Sequence, residues 1–227
     1  MTQAISNEHR LLQSWQQNAE PWTRVVQNDL LESRRLVTNQ AILDAVLSRK
    51  PRNVLDLGCG EGWLTRALTE QGLEVLGVDA IPELIEHARQ QDGGTFKVMS
   101  FDAIVAGAIP AQFDSIVCNF SLLGEASVTA LFKTLPTLLQ PGGHLIVQTL
   151  HPLLAGGDAP YCDGWREETW QGIDGGFVAS APWYFRTLAS WIDLHQSSGL
   201  QLREVREPLH PTRQQPASIV FISQSSA

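Results

Sequence analysis

The sequence predicts an α/β fold. A mostly parallel sheet carries helices on both faces, a helical cap precedes it and a lid is inserted after the fifth strand. Three observations predict this. From Asn53 onward, short apolar runs alternate with helically spaced stretches, the pattern of strand–helix–strand units with right-handed crossovers. The first run breaks into spaced glycines, Gly58-Cys59-Gly60-Glu61-Gly62, and passes directly into a helix. An acid, Asp79, ends the second run nineteen residues after Gly60.

Residues 1–50 read as a helical cap and 51–227 as the sheet domain, with the lid at about 153–182. In the cap, Leu11, Leu12 and Trp15 recur at helical spacing, as do Val25, Val26, Leu30 and Leu31, then Ile42, Leu43, Val46 and Leu47. Thr38-Asn39 is a candidate cap for the last of these helices, and Pro51 ends it. Asn53 to Leu57 is the first strand and Trp63 to Gln71 the first crossover helix. Glu74 to Asp79 is the second strand, and a helix follows from Pro82 to Gln91 with its proline in the first turn. Phe96 to Ser100 and Asp114 to Asn119 are strands three and four. Val128 to Leu139 is a helix, Gln140-Pro141-Gly142-Gly143 a turn, and His144 to Thr149 strand five. Residues 153–182 are glycine-rich, aromatic and irregular, and such insertions are functional lids or disordered segments. Their aromatic content argues against disorder. Trp183 to His195 reads as a helix, and Gln201 to Arg206 and Ala217 to Ser223 as strands six and seven.

Composition narrows the function. The chain of 227 residues carries a formal net charge of −8, with a pI near 5.2 and a mean hydropathy of −0.08. Nucleic-acid partners need clustered Lys and Arg on phosphate, and the acidic balance, with Lys97 and Lys133 far apart, argues against them. No apolar run approaches the roughly 18 residues of a membrane span, and Met1 to Arg10 lacks the apolar core of a signal peptide. Cys59, Cys118 and Cys162 form no C-x-x-C pair, so neither a disulfide framework nor a zinc site is indicated. A cytoplasmic setting fits.

The glycine turn carries the chemistry. A strand that stops in glycines and restarts as a helix aims backbone N–H groups and a helix N-terminus at one point. The dinucleotide fingerprint is G-x-G-x-x-G, whereas here Gly58, Gly60 and Gly62 alternate, with Asp56 two residues ahead. Asp56 to Gly62 resembles the (D/E)-x-G-x-G-x-G motif of the class I S-adenosylmethionine-dependent methyltransferases. Leu139-Gln140-Pro141-Gly142-Gly143-His144-Leu145 is similar to their L-x-P-G-G-x-L turn before strand five. The resemblance spans residues 34–150 by motif and 183–223 by pattern, and is nearest to small-molecule enzymes of the ubiquinone-biosynthesis type. It implies a Rossmann-like sheet of seven strands with the last antiparallel, S-adenosylmethionine as cofactor with S-adenosylhomocysteine as product, and a small-molecule acceptor.

By that resemblance, Gly58, Cys59 and Gly60 with Asp56 form the cofactor loop. Asp79 holds the ribose hydroxyls; its other reading is a cap for the helix from Pro82. Ala80 and Ile81 flank the adenine, Phe101 lies near the ring, and Asp102 accepts from the adenine amino group or is a solvated loop acid. Asn119-Phe120-Ser121 lies beside the reactive methyl. It lacks both the [D/N/S]-P-P-[Y/F] run of the amino-methylating DNA enzymes and the Pro-Cys of the cytosine-C5 enzymes. Arg34 or Arg35 pairs with the cofactor carboxylate, or is a solvated helix charge.

His151, past the end of strand five, is the candidate general base; its alternative is a histidine that only bonds the loop. Trp15, Trp22, Tyr161, Trp165, Trp183, Tyr184 and Arg186, with His151, are candidates to wall the acceptor pocket, or to pack the lid. No metal is implied. A nucleotide-dependent oxidoreductase and a non-catalytic cofactor-binding protein are the other classes. The sequence fixes neither the acceptor nor the oligomeric state.

Overall fold

The computed structural model describes residues 6–168, 170 and 173–225. Helix α1 (Asn7–Gln17) begins at Ser6, whose hydroxyl accepts the His9 N–H at 3.2 Å, and α2 (Ala19–Gln27) follows after a single residue. The next helix is already wound at residue 32 and passes through a π-helical turn, Arg34–Thr38, into α3 (Asn39–Leu47). Thr38 has helical dihedrals and makes no capping bond, so the expected cap is corrected. A cap needs extended backbone, and here the helix runs through. The Asn39 N–H reaches back five residues to Arg34 O, and the Thr38 carbonyl accepts Gln148 Nε2 at 3.0 Å.

Strand β1 (Asn53–Leu57), helix α4 (Trp63–Glu70), β2 (Glu74–Asp79), α5 (Pro82–Arg89) and β3 (Thr95–Val98) follow the alternation closely, a short α6 (Phe101–Val105) that was not expected comes next, and β4 (Phe113–Asn119) and α7 (Ala126–Leu138) resume the expected order. Strand β5 (Leu139–Thr149) is longer than expected. Its pairing with β4 jumps from Phe113↔Leu139 to Ser115↔His144. Residues 140–143 therefore bulge out of one strand instead of separating two elements. Gly142 there has φ +74°, open to glycine at little cost.

The lid holds more structure than the sequence showed. It contains α8 (Pro152–Ala155) and a hairpin of β6 (Gly164–Glu168) with β7 (Ala181–Phe185). Trp183, Tyr184 and Phe185 are strand, not helix; α9 spans Leu188–Ser197 and starts at Thr187, whose hydroxyl accepts the Ser190 N–H. The Tyr184 N–H donates to Leu123 O at 2.8 Å, so partners remote in sequence decide the conformation. Strands β8 (Leu200–Arg206) and β9 (Ile219–Ser225) close the chain.

The sheet order is β3-β2-β1-β4-β5-β9-β8. Neighbours from β3 to β5 are parallel, and β9 runs antiparallel to both β5 and β8, as expected of the last strand. Leu55, Ile116, Leu145 and Phe221 pack one face against Leu131, Phe132 and Trp191. Val54, Val117, Ile146 and Val220 pack the other against Ile42, Val46, Leu64 and Leu68. Burial on both faces is why these strands read as unbroken apolar runs. The strand order reverses between β1 and β4, and in open α/β sheets ligands bind outside the carboxyl ends of the strands at that point.

Candidate active site

The glycine loop lies at that reversal. Gly58 has φ +73°, and a Cβ there would sit 2.3 Å from Ser121 Cβ. The loop after β4 therefore touches bare backbone, fastened by the Ser121 hydroxyl, which donates to Leu57 O at 2.6 Å. Gly58 and Cys59 N–H both donate to Val78 O. The Gly60 N–H donates to Asp79 Oδ2 and the Ile81 N–H to Asp79 Oδ1, each at 2.9 Å. Asp79 thus braces the turn against β2. No side chain caps α5, whose capping residue is Ile81, so the cap alternative for Asp79 is not what the chain adopts.

Asp56 is buried and accepts the Thr65 hydroxyl at 2.7 Å. Burial pushes its carboxyl up to about 7, against the lowering effect of that hydrogen bond. Asp56 ties β1 to α4 beneath the loop. Cys59 is buried beside it. Ala80 is half-buried and Ile81 buried, while Asp102 is exposed in the first turn of α6 with Phe101 half-buried ahead of it.

The segment after β4 is strained. Phe120 has φ +54°, uncommon for a bulky residue and a mark of functional segments. Its N–H donates to Gln148 O at 2.8 Å, and the Asn119 side-chain oxygen accepts Gln148 Nε2 at 2.9 Å. Asn119, Phe120 and Ser121 are thereby held at the ends of β4 and β5.

The π-helical turn separates the two arginines. Arg35 is exposed. Arg34 faces inward, its guanidinium 5.0 Å from the Trp63 ring centre and 5.6 Å from that of Trp22. Its Nη2 is buried without a hydrogen-bond partner among the described residues. Burial lowers its pKa, and the carboxylate of Glu61 opposes that shift. Glu61, between the second and third glycines, is itself buried and was not among the residues singled out from sequence. An acid inside a glycine turn was the available signal. A Cβ at Gly60 would come within 3.8 Å of Trp22 Nε1, so α2 lies over the loop.

The aromatic candidates fall into two groups. Trp15 and Trp22 meet edge-on at 5.3 Å and both contact Trp170, which stacks on Phe177 at 4.3 Å; this group roofs the glycine loop. Trp165 packs on Tyr184, and Trp183 and Tyr161 on Phe185. Trp183, Tyr184 and Arg186 line a cleft with Leu122, Leu123 and Thr149, at the ends of β4 and β5. Arg186 is buried, lies 4.8 Å from the Tyr184 ring centre, and donates to Glu125 O. Tyr161 is 49% exposed and its hydroxyl accepts the Leu188 N–H, so it fastens the lid to α9. His151 caps the start of α8 and is buried, with Nε2 2.7 Å from Glu207 Oε1.

Fold and site together define an open α/β domain built to hold a nucleoside-bearing ligand across the carboxyl ends of its central strands. A family described as a methyltransferase domain matches residues 30–205. The chain belongs to that family, the class I S-adenosylmethionine-dependent methyltransferases. It is 36% identical over 125 residues to a ubiquinone biosynthesis O-methyltransferase of Xylella fastidiosa (strain 9a5c), covering 52% of this chain and 50% of that one. A Xanthomonas euvesicatoria pv. vesicatoria (strain 85-10) enzyme of the same name is 34% identical over 103 residues, covering 43% of each. The chain thus spans about half the length of the curated relatives it matches. Among solved structures, the Burkholderia thailandensis 1,6-didemethyltoxoflavin-N1-methyltransferase with bound 1,6-didemethyltoxoflavin and S-adenosylhomocysteine superposes with a TM-score of 0.68 at 18% identity, covering 100% of this chain and 94% of that one. The Synechocystis PCC 6803 magnesium protoporphyrin IX methyltransferase with bound S-adenosylmethionine gives 0.67 at 16% identity and full coverage of both chains. These last two establish the fold. Membership of the family sets aside the nicotinamide oxidoreductase reading. Among the described residues no helix is long and apolar enough to cross a membrane.

Proposed function

We propose that this chain transfers the methyl group of S-adenosylmethionine to a small-molecule acceptor, in the cytoplasm, with no nucleic acid or membrane as partner. The observation that carries the reading is the polar frame around the glycine loop. Asp79 stands at one end, with both carboxylate oxygens already oriented by backbone N–H groups. At the other end is the buried, unpartnered Nη2 of Arg34. The bare backbone of Gly58 and Gly60 lies between. The residues fit the cofactor. Each Asp79 oxygen keeps a lone pair for a ribose hydroxyl. The orphaned guanidinium nitrogen is short of an acceptor, which a carboxylate supplies.

In this reading Ala80, Ile81 and Phe101 bracket the adenine and Asp102 accepts from its amino group. Asn119, Phe120 and Ser121 border the methionine half. When bound, the sulfonium supplies a methyl group that is already electrophilic. The chain's own work is alignment and exclusion of water, performed by the aromatic roof and by the strained Phe120 segment. Trp183, Tyr184 and Arg186 face the acceptor across the lid cleft. Oxygen as the attacking atom is supported by the names of the curated relatives.

Calorimetric titration with S-adenosylmethionine and S-adenosylhomocysteine, beside NAD, tests the reading. We expect micromolar binding of the first two and none of NAD. Arg34→Ala should weaken binding about 10–100-fold, as loss of a charge-assisted pair does, while Arg35→Ala should leave it within about twofold. Absence of binding overturns the reading. Binding without transfer of labelled methyl to any component of a source-cell extract would leave a non-catalytic binding protein.

A further inference from the structure

Gln148 lies near the carboxyl end of β5, paired with Asn119 of β4 on one side and Val220 of β9 on the other. It follows the apolar run Leu145-Ile146-Val147 and is as buried as that run, at 1% exposure. A buried amide is costly unless its polar atoms are bonded. Alternation along the strand puts Gln148 on the face of Ile146, which packs with Ile42 and Val46 of α3. The side chain reaches the π-helical turn just ahead of that helix.

The amide is fully engaged there. Nε2 donates to the Thr38 carbonyl at 3.0 Å and to Asn119 Oδ1 at 2.9 Å, and Oε1 accepts the Ser218 hydroxyl at 3.5 Å. A backbone carbonyl only accepts, so the NH2 end of the amide is the end that faces Thr38. The main chain of Gln148 adds a further partner, because its carbonyl accepts the N–H of Phe120, the residue with φ +54°. On the other side Thr38 leads into Asn39. The Asn39 N–H donates to Arg34 O, and its Oδ1 accepts Arg34 Nε at 3.3 Å. Arg34 is thus held at its carbonyl and at Nε, with Nη2 left buried and without a partner among the described residues.

We propose that Gln148 is a positioning residue that couples two parts of the site: the π-helical turn that presents Arg34 to the cofactor carboxylate, and the Asn119–Phe120 segment that borders the methyl group. The inference rests on the methyltransferase reading and deepens it. The two amide hydrogens are divided between these segments, one to each. Withdrawal of either segment would strip a hydrogen of its acceptor where water cannot replace it. Carboxylate capture and methyl alignment therefore depend on one buried group. The adenosine half is remote from it. Asp79 ends β2, which β1 and β4 separate from β5.

Calorimetric titration with S-adenosylhomocysteine and with methylthioadenosine, which shares its adenosine and thioether but lacks the amino-acid group, tests the coupling. Gln148→Met keeps the length of the side chain and loses both donors. We expect it to bind S-adenosylhomocysteine about tenfold more weakly and methylthioadenosine within about twofold of wild type. Combined with Arg34→Ala, it should add no loss beyond that of Arg34→Ala alone, because residues acting through one network are not additive. A merely structural role would weaken both ligands alike or add to the Arg34 loss. Either result overturns the inference, as does wild-type affinity for both ligands. A measurement on the wild type stands even where the variant does not fold. The Gln148 side-chain NH2 protons should exchange slowly with solvent, and more slowly still with S-adenosylhomocysteine bound but not with methylthioadenosine. Exchange at the rate of a free amide, or equal slowing by both ligands, overturns the coupling. Failure of the wild type to bind S-adenosylhomocysteine would instead overturn the methyltransferase reading, which separates the two failures.

Discussion

At the scale of single residues, Asp79 carries the largest share of the proposed function. It receives the Gly60 and Ile81 N–H groups, and burial pushes its carboxyl above the ordinary range. A carboxylate that pays desolvation in the free protein recovers it when further donors arrive. Asp79→Ala should therefore weaken S-adenosylmethionine binding by a few kcal/mol, on the order expected when a ligand's hydroxyls lose a charged, buried partner. Asp79→Asn should fall in between, since it retains one acceptor. Calorimetry on the folded variants checks both, and an affinity equal to wild type would remove Asp79 from the site. Much of this residue scale was legible beforehand, because strand, glycine spacing and acid are local pattern. The inward placement of Arg34, with Arg35 outside, was not. A π-helical turn shifts the angular phase of every later residue, and nothing in Ser33-Arg34-Arg35-Leu36 announces one. Glu207 was equally hidden, since it meets His151 only through the sheet order.

At the scale of elements, the lid and the cap are one structure. Asn18 is fully buried. Its side-chain amide donates to Ala179 O at 2.8 Å, and its oxygen accepts the Val178 N–H at 2.9 Å. Asn18→Ala leaves the Val178 N–H without its partner, while Ala179 O keeps the Trp170 indole N–H at 2.7 Å. The variant should lose about 2–3 kcal/mol and become sensitive to proteolysis within the lid while the sheet stays protected. Urea unfolding and limited digestion measure the two effects, and digestion spread evenly along the chain would refute the local assignment. The central strands were readable because burial on both faces makes them apolar throughout. The hairpin was not. Trp183-Tyr184-Phe185 has no clean alternation, and its strand conformation depends on Trp165, Arg166 and Leu123, which lie far away in sequence. Short apolar and aromatic runs are the ones that tertiary partners decide.

At the scale of the whole molecule, the buried acids set how stability responds to pH. Asp56 titrates near 7 in the folded chain against about 3.9 when unfolded, and burial also raises Glu61 and Asp79. Between those two values the folded chain binds more protons than the unfolded one. Its stability is therefore fully present below pH 4 as far as these groups are concerned, and falls as pH rises through 7. For Asp56 the loss is on the order of a few kcal/mol. Asp56→Asn, which keeps a partner for Thr65, should flatten the decline. Chemical denaturation of both proteins at pH 5 and pH 7.5 checks this, and parallel curves would show that Asp56 does not carry it.

The N-terminal helices also have a consequence for how the chain is made. Glu8 accepts the N–H groups of Glu125, Ala126 and Ser127 and the Ser127 hydroxyl. Arg10 bonds Glu167, and Asn18 bonds residues 178 and 179. Every one of these partners is translated more than a hundred residues later. On the ribosome, α1 and α2 emerge long before these partners, while β1 and β2 can pair as soon as both are out. The roof over the glycine loop is made before β1 and cannot settle until the lid follows. A nascent chain halted at residue 120 would carry the first four strands under an unfastened cover.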